Sequence, residues 1–443
     1  MWYPCASIHY EDAASSPVRD RTCTLTPQPF ATSEALLGFQ SRSSTHSSGL
    51  RTCVATDHKS TRVAVQVQLG FGSRDDPQTS PGMAHLVEHL LFGQARDLEQ
   101  GEYARTIAVL GGRFAASTGY EHLALSSEVP SESLDLLLWM EADRLFTVAE
   151  KVTQLAIEKE ADVIDNERAL RLSSDPFGGW FSVALALLRG ADSPYGRPPV
   201  GDPAAIRNLT PRMVAEFIDN KIYSSSIVVA IAGAVDEGRA LEATNYYFGD
   251  AHAVETAWYP AREPIWLRKN IYLPLRGGSA FRVLFNIPSA SDPRFTAVHL
   301  ASQAMATDLQ QRASLAGSNV SVRLQIRPLR DEDSLGSISL TSPEPGISFR
   351  FAELFYEAWS QIERHDLSTD LWTQALETLF REYNDSLREL GERAAVMARN
   401  GFGKDGTGMR GDRLTQLSLA SAQDLACAWF VSGSHIVVLP SKT

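Results

Sequence analysis

The strongest constraint on this chain is that one order of secondary-structure signals runs through it twice. In the first half, residues 50–55 and 63–70 alternate apolar and polar side chains, the period of half-buried strands, and read as an antiparallel pair. A turn-rich stretch from Gly72 to Pro77 leads to a helix over residues 82–92 and a second over 101–109, ended by Gly111-Gly112. Strands over 113–118 and 122–129 follow, then helices over 130–146, 149–170, 180–188 and 211–221. A buried strand at 227–232 stops at Gly233. On the helix over 149–170, Val152, Leu155, Ala156, Val163 and Ile164 form the expected apolar side.

The second half repeats the order. Strands at 271–275 and 281–287 precede a helix at 295–315, strands at 320–327 and 336–340, helices at 347–365, 371–397 and 420–430, and a closing strand at 435–439. A repeat of about 200 residues is a domain duplication rather than a solenoid. The expected fold class is therefore α+β, two homologous domains, each an antiparallel-rich sheet packed with helices. The expected division is an irregular arm over 1–45, rich in Ser, Thr and Pro, a first domain over 46–250, a linker over 251–265 containing Pro260 and Pro264, and a second domain over 266–443.

Composition removes several alternatives. With 44% hydrophobic and 21% charged residues the chain has the apolar content to fold. A net charge of -12 argues against a phosphate-tracking surface, so nucleic acid is not an expected partner. Cys5, Cys23, Cys53 and Cys427 are too dispersed for a zinc ribbon or a disulfide framework. No apolar run reaches the roughly 18 residues of a membrane span. Glu11, Asp12 and Asp20 interrupt any secretory or organelle presequence, so no membrane and a cytoplasmic location are expected.

The chemistry sits in His85-Leu86-Val87-Glu88-His89, inside the helix expected over 82–92. Residues four apart share a helix face, so both imidazoles can reach one ion while Glu88 projects beside them. This is the inverted zinc-protease pattern H-x-x-E-H. Two neutral imidazoles suit Zn2+, a third ligand should be a carboxylate, and Glu88 would take a proton from an activated water. A salt-bridged surface face is the competing reading. Glu160 and Glu167, seven apart and thus on one face of the next acidic helix, can both point the same way. Together with Glu158, Asp162 and Asp165 they also fit a plain solvated charge run.

His85 to His89, following Gly72-Ser73-Arg74 and Pro81-Gly82-Met83-Ala84, with the Ile157 to Glu167 segment downstream, resembles the pitrilysin family, in particular its branch similar to mitochondrial processing peptidase. Tyr195 to Gly201 and Tyr223 through Gly233 to Asp236 extend the resemblance over residues 45–250. The second half matches by element order alone. The resemblance implies one zinc per chain held by His85, His89 and Glu167, with Glu160 supporting and Glu88 as general base. It also implies that two such chains, or one double-length chain, close around unfolded peptides.

Two departures follow from the same comparison. Where the family has Asn before Ala on the strand that pairs with substrate backbone, this chain has Ala115 before Ala116. Where active members carry an Arg and, seven residues on, a Tyr that steadies the oxyanion, the nearest match is Arg312 with Asn319. Ala115, Ala116 and Arg312 are the substrate-binding candidates. A chain lacking an oxyanion donor worth about 2.7 to 4 kcal/mol of barrier would be slow alone. The expected function is thus a zinc-dependent endopeptidase subunit cleaving unfolded or precursor peptides, including leader removal in peptide maturation, as a heterodimer with a related motif-less subunit or as a homodimer. The alternatives are a noncatalytic scaffold and a peptide-holding subunit that binds metal without cutting. His122 reads as a partly buried hydrogen-bonding side chain, Trp139 as core, and the glycine-rich stretch at 401–406 as a turn.

Overall fold

The computed structural model describes residues 41–249, 267–315, 319–401 and 417–441. Most of the arm at 1–45, the linker at 251–265 and the glycine-rich stretch after Gly401 lie outside the described residues. The first half runs β1 (Arg42–Thr45), β2 (Arg51–Thr56), β3 (Arg62–Leu69), α1 (Met83–Leu90), α2 (Glu102–Val109), β4 (Arg113–Thr118) and β5 (Leu123–Pro130). It continues α3 (Leu134–Thr147), α4 (Gln154–Ser174), α5 (Trp180–Arg189), α6 (Pro203–Arg207), α7 (Pro211–Ser224), β6 (Ile227–Gly233) and α8 (Glu237–Phe248).

The second half runs β7 (Arg268–Leu273), β8 (Ser279–Ile287), α9 (Phe295–Leu315), β9 (Ser321–Arg327), β10 (Ser334–Ser342) and α10 (Ser348–Glu363). It closes with α11 (Thr369–Ser386), α12 (Leu390–Gly401), α13 (Leu419–Ser432) and β11 (His435–Pro440).

The duplication is visible in strand order. The first sheet is β1-β2-β6-β3-β5-β4 and the second is β7-β11-β8-β10-β9. Each has one parallel pair, β2 with β6 and β7 with β11, followed by antiparallel neighbours out to an edge strand, β4 or β9. The strands β2 and β3 are not the direct pair that their alternation predicts, because β6 lies between them. All seven residues of β6 are buried, and so apolar a strand is stable only where both faces are covered and both edges paired.

Alternation on β3 assigns the two faces of the first sheet. Val63, Val65, Val67 and Leu69 meet α1, α3 and α7 in the main core, whereas Ala64 on the other face meets Ala394, Met397 and Ala398 of α12. A helix of the second half thus covers the first sheet, and the small Ala55, Ala64, Ala230 and Ala232 let it approach. The reciprocal packing holds as well: Ala184, Leu185 and Leu188 of α5 sit with Ala280, Leu284, Ile436 and Val438 of the second sheet.

This exchange accounts for the main local surprise. Residues 371–397 read as one helix, but the helix stops at Ser386 and restarts at Leu390. The chain turns there to carry α12 across to the first sheet, and neither Gly nor Pro marks the break at 387–389. On α4 the buried stripe is Ile157, Ala161 and Ile164, while Leu155 and Val163 are exposed, so the apolar side expected for this helix is rotated. Trp139 packs against the first core as expected.

Buried ion pairs hold the seam between the halves. Arg74 in the loop before α1 meets Asp331 of the β9–β10 connection, with Tyr195 at 3.0 Å and Glu121 at 3.5 Å, and Arg189 meets Glu332 at 3.2 Å. No helix among the described residues is long and apolar enough to cross a membrane.

Candidate metal centre

Helix α1 is short and begins without a side-chain cap of its own. Asp76, in the preceding loop, substitutes: its carboxylate accepts from the backbone N–H of Gly82 at 2.6 Å and of Ala84 at 2.8 Å. Gly82 has φ 103°, a left-handed conformation that glycine adopts without penalty. The loop at 195–201 presses on this point, where a Cβ on Gly201 would lie 2.2 Å from Gly82 Cα. The helix is therefore pinned at its start, with Ala84, Leu86, Val87 and Leu90 in the core.

From that position His85 and His89 meet edge-on, their ring centroids 4.8 Å apart. Helix α4 brings Glu167 to them: Oε2 lies 3.8 Å from His85 Nε2 and Oε1 lies 3.7 Å from His89 Nε2. These three residues form the one group among the described residues whose ligand atoms could hold a metal ion, all within 4.8 Å of one another. Donor separations near 3.7 Å fall within a few tenths of what two bonds of about 2.0 to 2.2 Å subtend at tetrahedral geometry, and two imidazoles with a carboxylate is a Zn2+ donor set. The residues fit the metal. The Glu167 side chain remains 38% exposed, so the group opens toward solvent.

The surrounding groups set protonation. Burial, then the His89 and Arg171 charges, push His85 down to about 4, leaving it neutral as a ligand must be. Burial opposes the charged form of His89, but the hydrogen bond to Glu160 and the charges of Glu167, Glu160 and Glu88 outweigh it and raise its pKa. The bond joins His89 Nδ1 to Glu160 Oε2 at 3.2 Å, which leaves Nε2 for a metal. Burial also raises Glu88, against a hydrogen bond from Thr118.

Of the acidic residues on α4, Glu160 and Glu167 turn inward, whereas Asp162 and Asp165 turn to Arg207 on α6. Two nearby residues escaped the sequence reading. Thr118, the last residue of β4, donates to Glu88 Oε2 at 2.5 Å, and Arg171 reaches Glu167 at 3.4 Å one turn along α4. An i,i+4 Glu–Arg pair was a readable signal for Arg171; none existed for Thr118.

Ala115 and Ala116 lie on β4, the edge strand beside the site, with Ala115 exposed and Ala116 against the core. Arg312 lies in the last turn of α9, held by Asp308 at 2.8 Å and Glu357 at 3.3 Å, and Asn319 is exposed. His122 is not part of the metal-ligating group.

The class that fold and site define is a duplicated two-sheet α+β fold in which an H-x-x-E-H helix packs against an acidic helix. Residues 51–174 match the family described as Insulinase (Peptidase family M16), so this part of the chain is similar to a domain of that family. It is 32% identical over 203 residues to an uncharacterized zinc protease of Mycobacterium leprae, covering 45% of this chain and 44% of that protein. It is 27% identical over 213 residues to mitochondrial-processing peptidase subunit beta of Dictyostelium discoideum, covering 48% and 44%. The matched region thus spans less than half the length of these curated relatives.

Among solved structures, a protease from Helicobacter pylori superposes with TM-score 0.75 at 17% identity, covering 91% of this chain and 100% of that one. A peptidase M16 inactive domain from Pseudomonas fluorescens gives 0.76 at 14%, covering 91% and 99%. At these identities the likeness is one of fold.

Proposed function

We propose that this chain is a zinc-dependent endopeptidase subunit that cleaves extended, unfolded or precursor peptides and works with a second polypeptide. The single observation carrying this reading is the convergence of His85, His89 and Glu167 with Glu88 beside them. When bound, a zinc ion at such a set acidifies a water and polarises the scissile carbonyl.

The chain's own residues do the rest. Glu88, partly buried and fixed by Thr118, accepts a proton from the attacking water and returns it to the leaving amine. Glu160 holds the His89 ring in the orientation and tautomer a ligand requires. The outer edge of β4, unpaired among the described residues, offers N–H and C=O groups to an extended peptide, which would add as a strand beside Arg113–Thr118. Arg312 is engaged by Asp308 and Glu357, so we assign the oxyanion donor to a partner chain, either a related subunit or a second copy.

That engagement of Arg312 is also what favours the second reading, a peptide-holding subunit that binds metal without cutting. One assay separates them. Zinc-loaded chain, alone and with each candidate partner, is incubated with a long unstructured peptide, with Glu88→Gln in parallel. Cleavage abolished by Glu88→Gln supports the peptidase; binding without cleavage in every mixture supports the holding subunit. Trimming of a leader from a maturing peptide is the biological step that such a subunit would serve.

A further inference from the structure

We infer that the cavity on the far side of β4 from the metal residues is a binding site for a carboxylate carried by the bound peptide, and so selects acidic substrates. This rests on the peptidase reading and names its substrate class.

The two faces of β4 are distinct. Phe114 stacks on Phe92 and Thr118 reaches Glu88, so these side chains point toward the α1 side. Arg113, Ala115 and Ser117, between them in register, point to the α12 side, where Arg113 meets Glu389. A peptide added to β4 alternates in the same way: every second side chain faces the metal residues and the others face α12.

On that α12 side a trough of about 680 Å³ runs along β4, lined by Ala115, Ser117 and Arg399 and by Glu128, Glu389 and Glu392, of which Glu128 and Glu389 meet Arg113. His122 and Arg399 also line a second cavity of about 580 Å³ between the halves, which Thr118 touches from the β4 end. The two spaces share those residues in their walls, and the second adjoins the end of β4 at Thr118 and Gly119. The side chains of a β4-bound peptide that turn away from Glu88 would face the trough and the wall it shares with the second cavity.

Two arginines stand in the wall of the second cavity. Arg327 and Arg399 line it with His122 and His299, which burial pushes down to about 4 and so leaves neutral. Glu382 is the one carboxylate among the described residues of its wall, and Glu392 of the adjoining trough acts on Arg399. Burial raises the Glu382 pKa against the charge of Arg381. Arg327 lies against the Phe181 ring at 4.7 Å and, among the described residues, donates to the Gln325 side-chain oxygen at 3.2 Å and to no carboxylate. Its Nη1 is buried without a hydrogen-bond partner, and so is His299 Nδ1. A half-buried guanidinium with one buried, unbonded N–H group and no carboxylate among the described residues is costly to keep, and a two-oxygen anion fits its planar fork. A carboxylate between Arg327 and Arg399 would remove that cost, while Phe181 and Phe295 would take the methylenes of a glutamate side chain.

The test measures binding rather than turnover. The zinc-loaded full chain carrying Glu88→Gln is titrated by fluorescence anisotropy with an unstructured labelled peptide holding one glutamate, moved through successive positions, and with its glutamine twin. The expected result is tighter binding of the glutamate peptide by about tenfold, at positions of one parity only. Arg327→Gln should erase the difference and Arg327→Lys should keep part of it, which separates loss of charge from loss of fold.

Equal affinity of the twins for this protein overturns the inference, and so does a preference that survives Arg327→Gln. Inorganic phosphate is the second probe. If phosphate binds through Arg327 while the twins bind alike, the anion is free in solution and the peptide-borne assignment falls. Cleavage of the glutamine twin by the native chain and its partner tests the peptidase reading separately, so either can fail while the other stands.

Discussion

Thr118 donates its hydroxyl to Glu88 Oε2 at 2.5 Å, linking the edge strand that would carry a peptide to the carboxylate that would move the proton. The two residues are thirty positions apart, on β4 and α1. A substrate strand paired with β4 would thereby be held in register with Glu88, because one side chain of β4 fixes the orientation of the other group.

Loss of that link should be felt in turnover. Thr118→Ala is expected to lower kcat on the order of 10- to 100-fold with zinc content unchanged, since a small misplacement of a reacting group can cost that much. Thr118→Ser, which keeps the hydroxyl, should recover most of it. Equal kcat for all three proteins would remove Thr118 from any positioning role.

Glu88→Gln keeps the size and part of the hydrogen bonding of the native side chain but cannot accept a proton. Metal analysis should find native zinc content in this variant, and peptide hydrolysis should fall by on the order of 100- to 10,000-fold. Hydrolysis near the native rate would mean that another group serves as base.

Metal retention should depend on three side chains directly and on a fourth through His89. His85→Ala and Glu167→Gln are each expected to abolish stoichiometric zinc after dialysis. Glu160→Gln should weaken affinity by roughly 10- to 100-fold, measured by competition with a chelating dye. Unchanged affinity in Glu160→Gln would leave the 3.2 Å contact to His89 Nδ1 without consequence for the metal.

The seam makes a prediction about stability. Asp331 and Arg74 are buried against each other, with side-chain exposures of 0% and 1%. Removing one partner by Asp331→Asn leaves a buried guanidinium short of charge and should cost about 3 to 5 kcal/mol at neutral pH, read from denaturant midpoints.

Burial pushes the Asp331 carboxyl up, but hydrogen bonds and charge from Arg330 and Arg74 overcome this and hold it below the usual carboxylate range. Its folded pKa lies under the unfolded value of about 3.9, so its contribution is complete above that value and is lost as pH falls through the folded pKa. The native chain should therefore lose more stability than Asp331→Asn on acidification below about pH 4. Parallel acid limbs for the two proteins would contradict this.

The need for a partner is tested by assaying the isolated chain and then each mixture at equal zinc loading. Cleavage is expected only with a second polypeptide that supplies an oxyanion donor, the effect being about 100- to 1000-fold in rate. If the isolated chain cleaves as fast as any mixture, the donor lies within it.

Much of this molecule was legible because its signals are local. The edge strand at 113–118 and the helix at 295–315 match the structure to the residue, since period-two and period-3.6 patterning reflect burial of one face of one element. His85 and His89 share a face for the same reason, and the duplicated element order reappears as two sheets of matching topology. The helix at 203–207 and the one at 237–248 were not anticipated, although Asp202 and Asp236 cap them and both precede a recognisable first turn.

What the sequence determined by itself, then, is the order of elements, the two-fold repeat, and the H-x-x-E-H face on a helix, all consequences of backbone bonds and side-chain spacing within one segment. The tertiary structure decided which strands are neighbours, placing β6 between β2 and β3, and where residues 371–397 break so that α12 covers the sheet of the other half. It also decided that Glu160 and Glu167 turn to the histidines while Asp162 and Asp165 turn to Arg207. Each of these depends on contacts between residues tens to hundreds of positions apart, where packing and the pairing of buried charge outweigh any local preference.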